Sequence, residues 1–536
     1  MKVMFLDLFP SIWGHSLLIS QLRKLTEELG YITETVICGP RFFNFCSAME
    51  AKNLLPSDSN EKRDRICFEC KAKSNQLLKN SNSKWDVSSL LTPKQIIDID
   101  NYLDSLNFMA PSEITFEDIE VGKFALYETL IRFKKSDSSL SPDELQHFKG
   151  LLQSCMRVIL AAKIIFTQTH PDKLIIFSPQ YGINNAFAQV AQNLNITVVF
   201  MEGSANLSER LSSVRLWDWK THGLLQPALN ELEIFSQYLP SSNDLKRTHN
   251  MMDSISSGNH YSVYSARASN ENLRNKFRIP TNSKVILLSM SSYDEVYSGF
   301  VIGAFPRSKY VSKVFSSQIR WVEETIRWVS SQRDTYLIVR PHPREFQTEV
   351  NSNVSEHYLE TRRVLSDLPT NVIVDLPEFR TSIYDLFNVV DVVSTGWSFT
   401  GVEALMAGIP VVTYDKEISS FPAAIHLSGN SRAEYFDNLK RAMTMYRHPK
   451  WEYEAKRWIS FVSVRGTIHL GGRLEDRFRI FRVPTVRRIL QSKYIVTYKN
   501  RLFRSLEARM SPKKVDLNRY SEFLNSNYTN LFQILS

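Results

Sequence analysis

The sequence predicts an α/β protein of two domains, each a mainly parallel sheet covered by helices. Three observations carry that expectation. At 536 residues the chain is longer than one ordinary core can serve. Apolar, β-branched runs alternate with helix-period segments at the N-terminus and again from Lys284 onward. The stretch Val389 to Tyr414, VVDVVSTGWSFTGVEALMAGIPVVTY, reads as strand, turn, helix and strand in one uninterrupted unit. Hydrophobic residues at 43% and charged residues at 23% are globular proportions.

In chain order, Lys2 to Leu8 reads as a strand, Ser16 to Leu29 as a helix closed by Gly30, and Thr33 to Cys38 as a second strand. This is a Rossmann-like opening without a GxGxxG loop; its strand-to-helix turn carries Pro10, Gly14 and His15. His15 stands where a side chain faces a crevice, and a lone histidine there also serves simply as a helix-entry residue. Residues 53–89 are polar and Lys/Ser/Asn-rich and read as an insertion. Helical patterns follow over Phe124–Phe133 and Pro142–Thr169, then strand Lys173–Phe177, helix Asn184–Leu194 and strand Thr197–Met201. The loops Ser178–Asn185 and Glu202–Ser208 both follow strands, and their hydroxyls and amides suit a sugar. The Ser/Asn-rich stretch from Asn230 to Asn282 includes an amphipathic segment and reads as a connection. Composition therefore sets the domains at 1–262 and 281–455, followed by a helical return segment at 456–472 and a basic tail at 473–536.

Two turns of the second half carry chemistry. Tyr336–Val339 runs into Arg340-Pro-His-Pro-Arg344, where two prolines stiffen the backbone and present Arg340, His342 and Arg344 together. Guanidinium and imidazole side by side can hold a phosphate; the same residues can also form a stiff strand exit paired with surface carboxylates. The turn Ser394, Thr395, Gly396, Ser398, Thr400 and Gly401 offers hydroxyls and free amides to an anion. Thr400-x-x-Glu403 equally fits a capping box that binds nothing. After the strand Lys284–Met290, Asp294 and Glu295 supply two carboxylates at its end.

Cys38, Cys46, Cys67, Cys70 and Cys155 suit a reducing compartment. Cys67 and Cys70 have C-x-x-C spacing and could share a structural zinc with Cys38 and Cys46, or be free thiols. Net charge is +9, and the segment from Arg473 to Lys514 alone carries thirteen basic against three acidic residues. That segment, interleaved with Phe, Ile and Leu, suits an anionic membrane surface; a solvated appendage packing on its own domain fits as well. No nucleic-acid motif accompanies it. No apolar run long enough to span a bilayer is expected, and Pro10 breaks the N-terminal apolar run early, so a cytoplasmic protein, peripheral on the inner face of the plasma membrane, is expected.

Taken together, the RPHP turn and the STGxSFTGVEALxxGxPVVTY block resemble GT-B glycosyltransferases, and within them the capsule polysaccharide and surface-carbohydrate biosynthesis group that includes Kdo transferases. The resemblance spans Lys2 to Gly472 in layout and is specific from Ser289 to Tyr414. It implies two Rossmann-like domains facing a cleft. It also implies transfer of a sugar from a nucleotide-sugar donor to a glycan or lipid-linked glycan acceptor, without nucleic acid and without a cofactor or metal. It carries nucleotide binding onto His342, Pro343, Ser394, Thr395, Ser398 and Thr400, and ribose contact onto Glu403. Arg340 and Arg344 would join His342 at the leaving phosphate. His15, Asp294 and Glu295 are the candidates for the base that takes the acceptor's proton. Trp397 interrupts the usual Ser/Thr-rich turn. A nucleotide-sugar 2-epimerase of the same plan, and a non-catalytic partner in polysaccharide assembly or export, remain open as alternatives.

Overall fold

The computed structural model describes residues 1–78, 84–206, 209–218, 226–257, 265–269, 271–347, 351–445, 447, 449–471 and 513–534. The first domain begins with β1 (Lys2–Asp7), α1 (Trp13–Glu28) and β2 (Ile32–Ile37). Next come α2 (Asn60–Leu77), β3 (Lys84–Asp86), α3 (Val121–Phe133) and α4 (Pro142–Thr169). They lead to β4 (Lys173–Phe177), α5 (Gly182–Asn193), β5 (Thr197–Gly203) and β6 (Ser213–Asp218). Strands β3-β2-β1-β4-β5 pair in parallel and β6 adds antiparallel. Val3 and Phe5 of β1 face one helical layer while Met4 and Leu6 face the other. Burial on both faces is why the strand reads as a continuous apolar run.

Helix α4 has the length and apolarity to cross a membrane, contrary to the expectation that no such run exists. It lies instead at the centre of the first core, with Phe148, Leu151, Leu152, Ile159 and Ile165 fully buried.

The change of domain comes earlier than residue 262. Ala228 and Phe235, together with Met251 and Ile255 of α6 (Ser242–Ser256), belong to the second core. An amphipathic helix has to bury its apolar side somewhere, and this one does so against a helix from far along the chain. The second sheet is wholly parallel, with β7 (Lys284–Ser289), β8 (Thr335–Arg340), β9 (Val372–Val374), β10 (Val392–Thr395), β11 (Val411–Thr413) and β12 (Leu427–Ser428) in the order β12-β11-β10-β7-β8-β9. Its helices include α7 (Tyr293–Val301), α8 (Gln318–Ser330), α9 (Thr400–Met406) and α10 (Arg432–Thr444). Gly408 ends α9 at φ 75°, a left-handed turn that suits glycine.

Helix α11 (Pro449–Ser460) then packs Trp458 edge-on to Phe235, and Arg457 donates to the carbonyls of Phe235, Ser236 and Tyr238. A wide helical turn, Phe461–Arg465, carries the chain back to the first domain. There β13 (Ile468–His469) joins the edge of the first sheet antiparallel to β6. Helix α12 (Lys514–Asn525) buries Tyr520, Phe523 and Leu524 in the first core, and Tyr520 OH lies 2.7 Å from Thr26 Oγ1 of α1. Residues 514–534, read from sequence as part of the basic tail, are therefore core elements of the first domain. The basic run from 473 to 512 lies outside the described residues.

The two Rossmann-like domains face one another across a cleft, the GT-B arrangement. One side of the cleft is tied shut beyond α3. Lys134 Nζ donates to the carbonyls of Phe346 and Asn353, the amides of Asn351 and Asn353 reach Arg132 O, and Lys135 pairs with Glu356.

Candidate functional site

A cavity of about 390 Å³ lies between the domains, in the size range of small-molecule sites (roughly 300–1,000 Å³). Its second-domain wall is made by the carboxyl ends of β7, β8 and β10, the place where parallel sheets collect ligands. The first domain contributes Glu202 at the end of β5, together with Arg210 and Arg215.

Among the expected binding residues, Arg340, His342, Pro343, Ser398, Thr400 and Glu403 line this one space. The RPHP and Ser/Thr turns thus converge, but not every residue in them faces the cavity. Ser394 and Thr395 are fully buried: Ser394 Oγ lies 2.9 Å from Tyr435 OH, and Thr395 Oγ1 donates to Ser289 O. Gly396 is small for a packing reason, since a Cβ there would stand 2.8 Å from the Tyr414 ring. Arg344 turns away as well, donating to both Asp294 Oδ2 and Ile131 O. These four residues build the turns and do not line the cavity.

The capping box does not form. The residue preceding α9 is Phe399, and no side chain caps the helix. Glu403 instead accepts a hydrogen bond from Tyr384 OH at 3.0 Å, and burial raises its pKa to about 7.

His342 is a neutral donor. Burial lowers its pKa to about 4, and its Nδ1 accepts from the Arg344 backbone N–H at 3.3 Å, which leaves the proton on Nε2. Arg340 is held by Asp375 and by Thr381 O, so it stiffens the turn while lining the cavity. Glu345 accepts from the Tyr293 N–H at 3.0 Å and from Ser355 Oγ, fixing the turn from behind.

The three proton acceptors expected from sequence fare differently. Glu295 lines the cavity. Asp294 does not: it is 1% exposed, bound by Arg344 through Nε and Nη2 and by Ser292 Oγ. A carboxylate so committed holds α7 to the RPHP turn. His15 does not line the cavity either. Its ring stacks on Phe177 at 4.0 Å, and burial pushes its pKa down to about 3.

Sequence reasoning placed the Glu202–Ser208 loop at the crevice but gave the Glu202 carboxylate no role, and it missed Arg210 and Lys309. Glu202 ends the buried run VVFMEG, so a charge closing an apolar strand was the available signal. Arg210 lines the cavity with no hydrogen bond or ion pair to any described residue. Lys309, from a short helix with no sequence signal, donates to Ser419 O, and burial lowers its pKa to about 8. Trp397, the interruption in the Ser/Thr turn, lines the cavity edge-on to Phe305, with ring centroids 5.2 Å apart.

Cys38, Cys46, Cys67 and Cys70 do gather, around a small void beside Leu8 and Phe43. All four are free thiols, and burial pushes those of Cys38, Cys46 and Cys70 up, so they behave as small apolar side chains. Among the described residues, no group of three or more His, Cys, Asp or Glu is arranged to hold a metal ion.

No protein-family model matches the chain, and no curated protein sequence matches it. Solved structures do. One is the beta Kdo 2,7 transferase KpsC of Thermosulfurimonas dismutans, at 12% identity and a TM-score of 0.34, covering 60% of this chain and 87% of that one. Another is the UDP-GlcNAc 2-epimerase of Methanocaldococcus jannaschii in complex with UDP-GlcNAc and UDP, at 13% identity and a TM-score of 0.31, covering 84% and 94%. The spinosyn rhamnosyltransferase SpnG is also similar, at 10% identity and a TM-score of 0.26, covering 86% and 95%.

Proposed function

We propose that this chain is a glycosyltransferase that moves a sugar from a nucleotide-sugar donor onto a glycan acceptor of the surface or capsular kind implied by its motif resemblance. The observation that carries the reading is one cavity walled by both domains. On one side are a neutral imidazole donor, His342, two hydroxyls, Ser398 and Thr400, and a carboxyl, Glu403. On the other are a cation with no partner among the described residues, Arg210, and a carboxylate, Glu202.

In this reading the donor's phosphate oxygens accept hydrogen bonds from His342 Nε2–H and from the Ser398 and Thr400 hydroxyls. Lys309 and Arg210 offset the charge that grows on the leaving phosphate. Glu403 accepts from a ribose hydroxyl. The acceptor's hydroxyl oxygen bonds to the anomeric carbon as the bond from that carbon to the phosphate oxygen breaks, and a carboxylate takes the hydroxyl proton. Glu202 suits that task better than Asp294 or His15, because it lies in the cavity on the wall facing the donor side. Closure of the two halves keeps water from taking the acceptor's place. The basic segment 473–514 would hold the enzyme on an anionic inner membrane face.

Two measurements test this. A thermal-shift screen with CMP, UDP, GDP and their sugars should show one nucleotide stabilising the protein. His342→Ala should then lose transfer by about 10²–10³-fold with its unfolding temperature kept. Full transfer activity in that variant would end the assignment, and isomerisation of the donor in the absence of any acceptor would make the chain an epimerase.

A further inference from the structure

A second cavity, of about 620 Å³, opens between the same two domains. Its first-domain wall includes Pro179, Asn185 and Gln189, from the β4–α5 loop and α5; its second-domain wall is the far end of α7 and the loop after it. Helix α7 separates the two spaces: Glu295 and Val296 line the first, while Tyr297, Phe300 and Val301 line the second.

The chemistry of the two cavities differs. The first is lined by four cationic side chains and an imidazole. Among the described residues, the second has a single ion pair, Lys123 with Glu120 at 2.6 Å, so their formal charges cancel. The rest of its polar lining is neutral and comes from side-chain amides and hydroxyls, Asn185, Gln189, Ser112 and Ser138. Four aromatic rings, Phe124, Phe200, Tyr297 and Phe300, stand among them. Asn185 is 5% exposed; its amide nitrogen is spent on Pro179 O at 2.9 Å, and its Oδ1 has no hydrogen-bond partner. A buried carbonyl left unpaired is costly, and a donor arriving with a ligand would relieve it.

We propose that this second cavity is a binding site for a neutral saccharide. A sugar ring carries many hydroxyls that both donate and accept, which suits amides and hydroxyls, and C–H faces that suit aromatic rings. Without an unpaired cation or an imidazole, the lining has little to offer a phosphate. The site is distinct from the nucleotide cavity, and the binding does not depend on transfer occurring there. Because both domains wall it, an occupied site also strengthens the seam between them.

The test uses the full chain on an array of neutral oligosaccharides (malto-, cello-, chito- and manno-oligosaccharides) and acidic ones, with calorimetric titration of the best binder against wild type, Phe300→Ala and Asn185→Ala. The expected result is that a neutral oligosaccharide binds and that each variant weakens it about tenfold or more, while the stabilisation by nucleotide measured on the first cavity is unchanged. Three results would overturn the proposal: no neutral oligosaccharide binding at roughly 10 mM, binding confined to acidic glycans, or affinity unchanged in Phe300→Ala. Phe300 is half-buried with one face covered by Tyr310, so its truncation leaves the fold intact and decides the matter even where Asn185→Ala fails to fold.

Discussion

Glu403→Gln separates what burial does to a cavity carboxyl from what a ligand would do with it. Glu403 is 8% exposed, and burial raises its pKa from 4.5 to about 7. A folded pKa above the unfolded one means the associated stability is fully present below about pH 4.5 and is lost as pH rises through about 7. At ~1.4 kcal/mol for each tenfold change in proton affinity, the rise from 4.5 to about 7 sets a ceiling of about 3.5 kcal/mol. Glutamine keeps the shape and the acceptor oxygen that Tyr384 OH uses, and never ionises. At about pH 4 the variant should therefore unfold with the wild type, and at about pH 8.5 it should be more stable by up to ~3.5 kcal/mol. For a domain of this size that is an unfolding temperature higher by as much as roughly 7–14 °C. The assay is a thermal melt of both proteins at the two pH values, repeated with the stabilising nucleotide. A gap between variant and wild type that is the same at both pH values would refute the reasoning. Undiminished stabilisation of the variant by nucleotide would separately refute the ribose contact.

Three further outcomes follow from the packing. Tyr435→Phe removes the hydroxyl that meets Trp321 Nε1 at 2.8 Å and Ser394 Oγ at 2.9 Å, and should cost about 1–3 kcal/mol in a denaturant melt. Phe523→Ala on α12 should cost about 3–5 kcal/mol, read as a lower unfolding temperature; a neutral result would mean residues 514–534 are not part of the first core. Lys134→Met leaves Phe346 O and Asn353 O without their ammonium donor. It should destabilise by roughly 3 kcal/mol and speed hydrogen exchange over residues 344–356, whereas unchanged exchange there would show that the seam does not depend on it.

The fold class was legible because its signal is local. The continuous apolar runs at Lys2 and Lys284 mark strands buried on both faces, and the helical periods between them predict crossovers that can only join parallel strands. The two cavity-lining turns were legible for a related reason, since prolines and small hydroxyl residues at strand ends restrict the backbone wherever the chain goes. What could not be read was which way each side chain faces and what occupies it. Arg344 and Asp294 looked like two ligand groups, yet they neutralise one another across fifty residues of chain. His15 looked like a base and stacks on Phe177, from a strand more than 150 residues away.

The sequence by itself determined the two sheets, the cleft between them, and the convergence of the His342 and Ser398–Thr400 turns on it. The tertiary structure alone decided that α12 belongs to the first core, that Arg344, Ser394 and Thr395 brace the walls while Arg210 and Lys309 line the space, and that a second cavity, whose one ion pair cancels, lies behind α7. The physical reason is range. Hydrophobic period and turn chemistry act over a few residues, whereas ion-pair partners, burial and cavity walls are set by groups that meet only when distant parts of the chain pack.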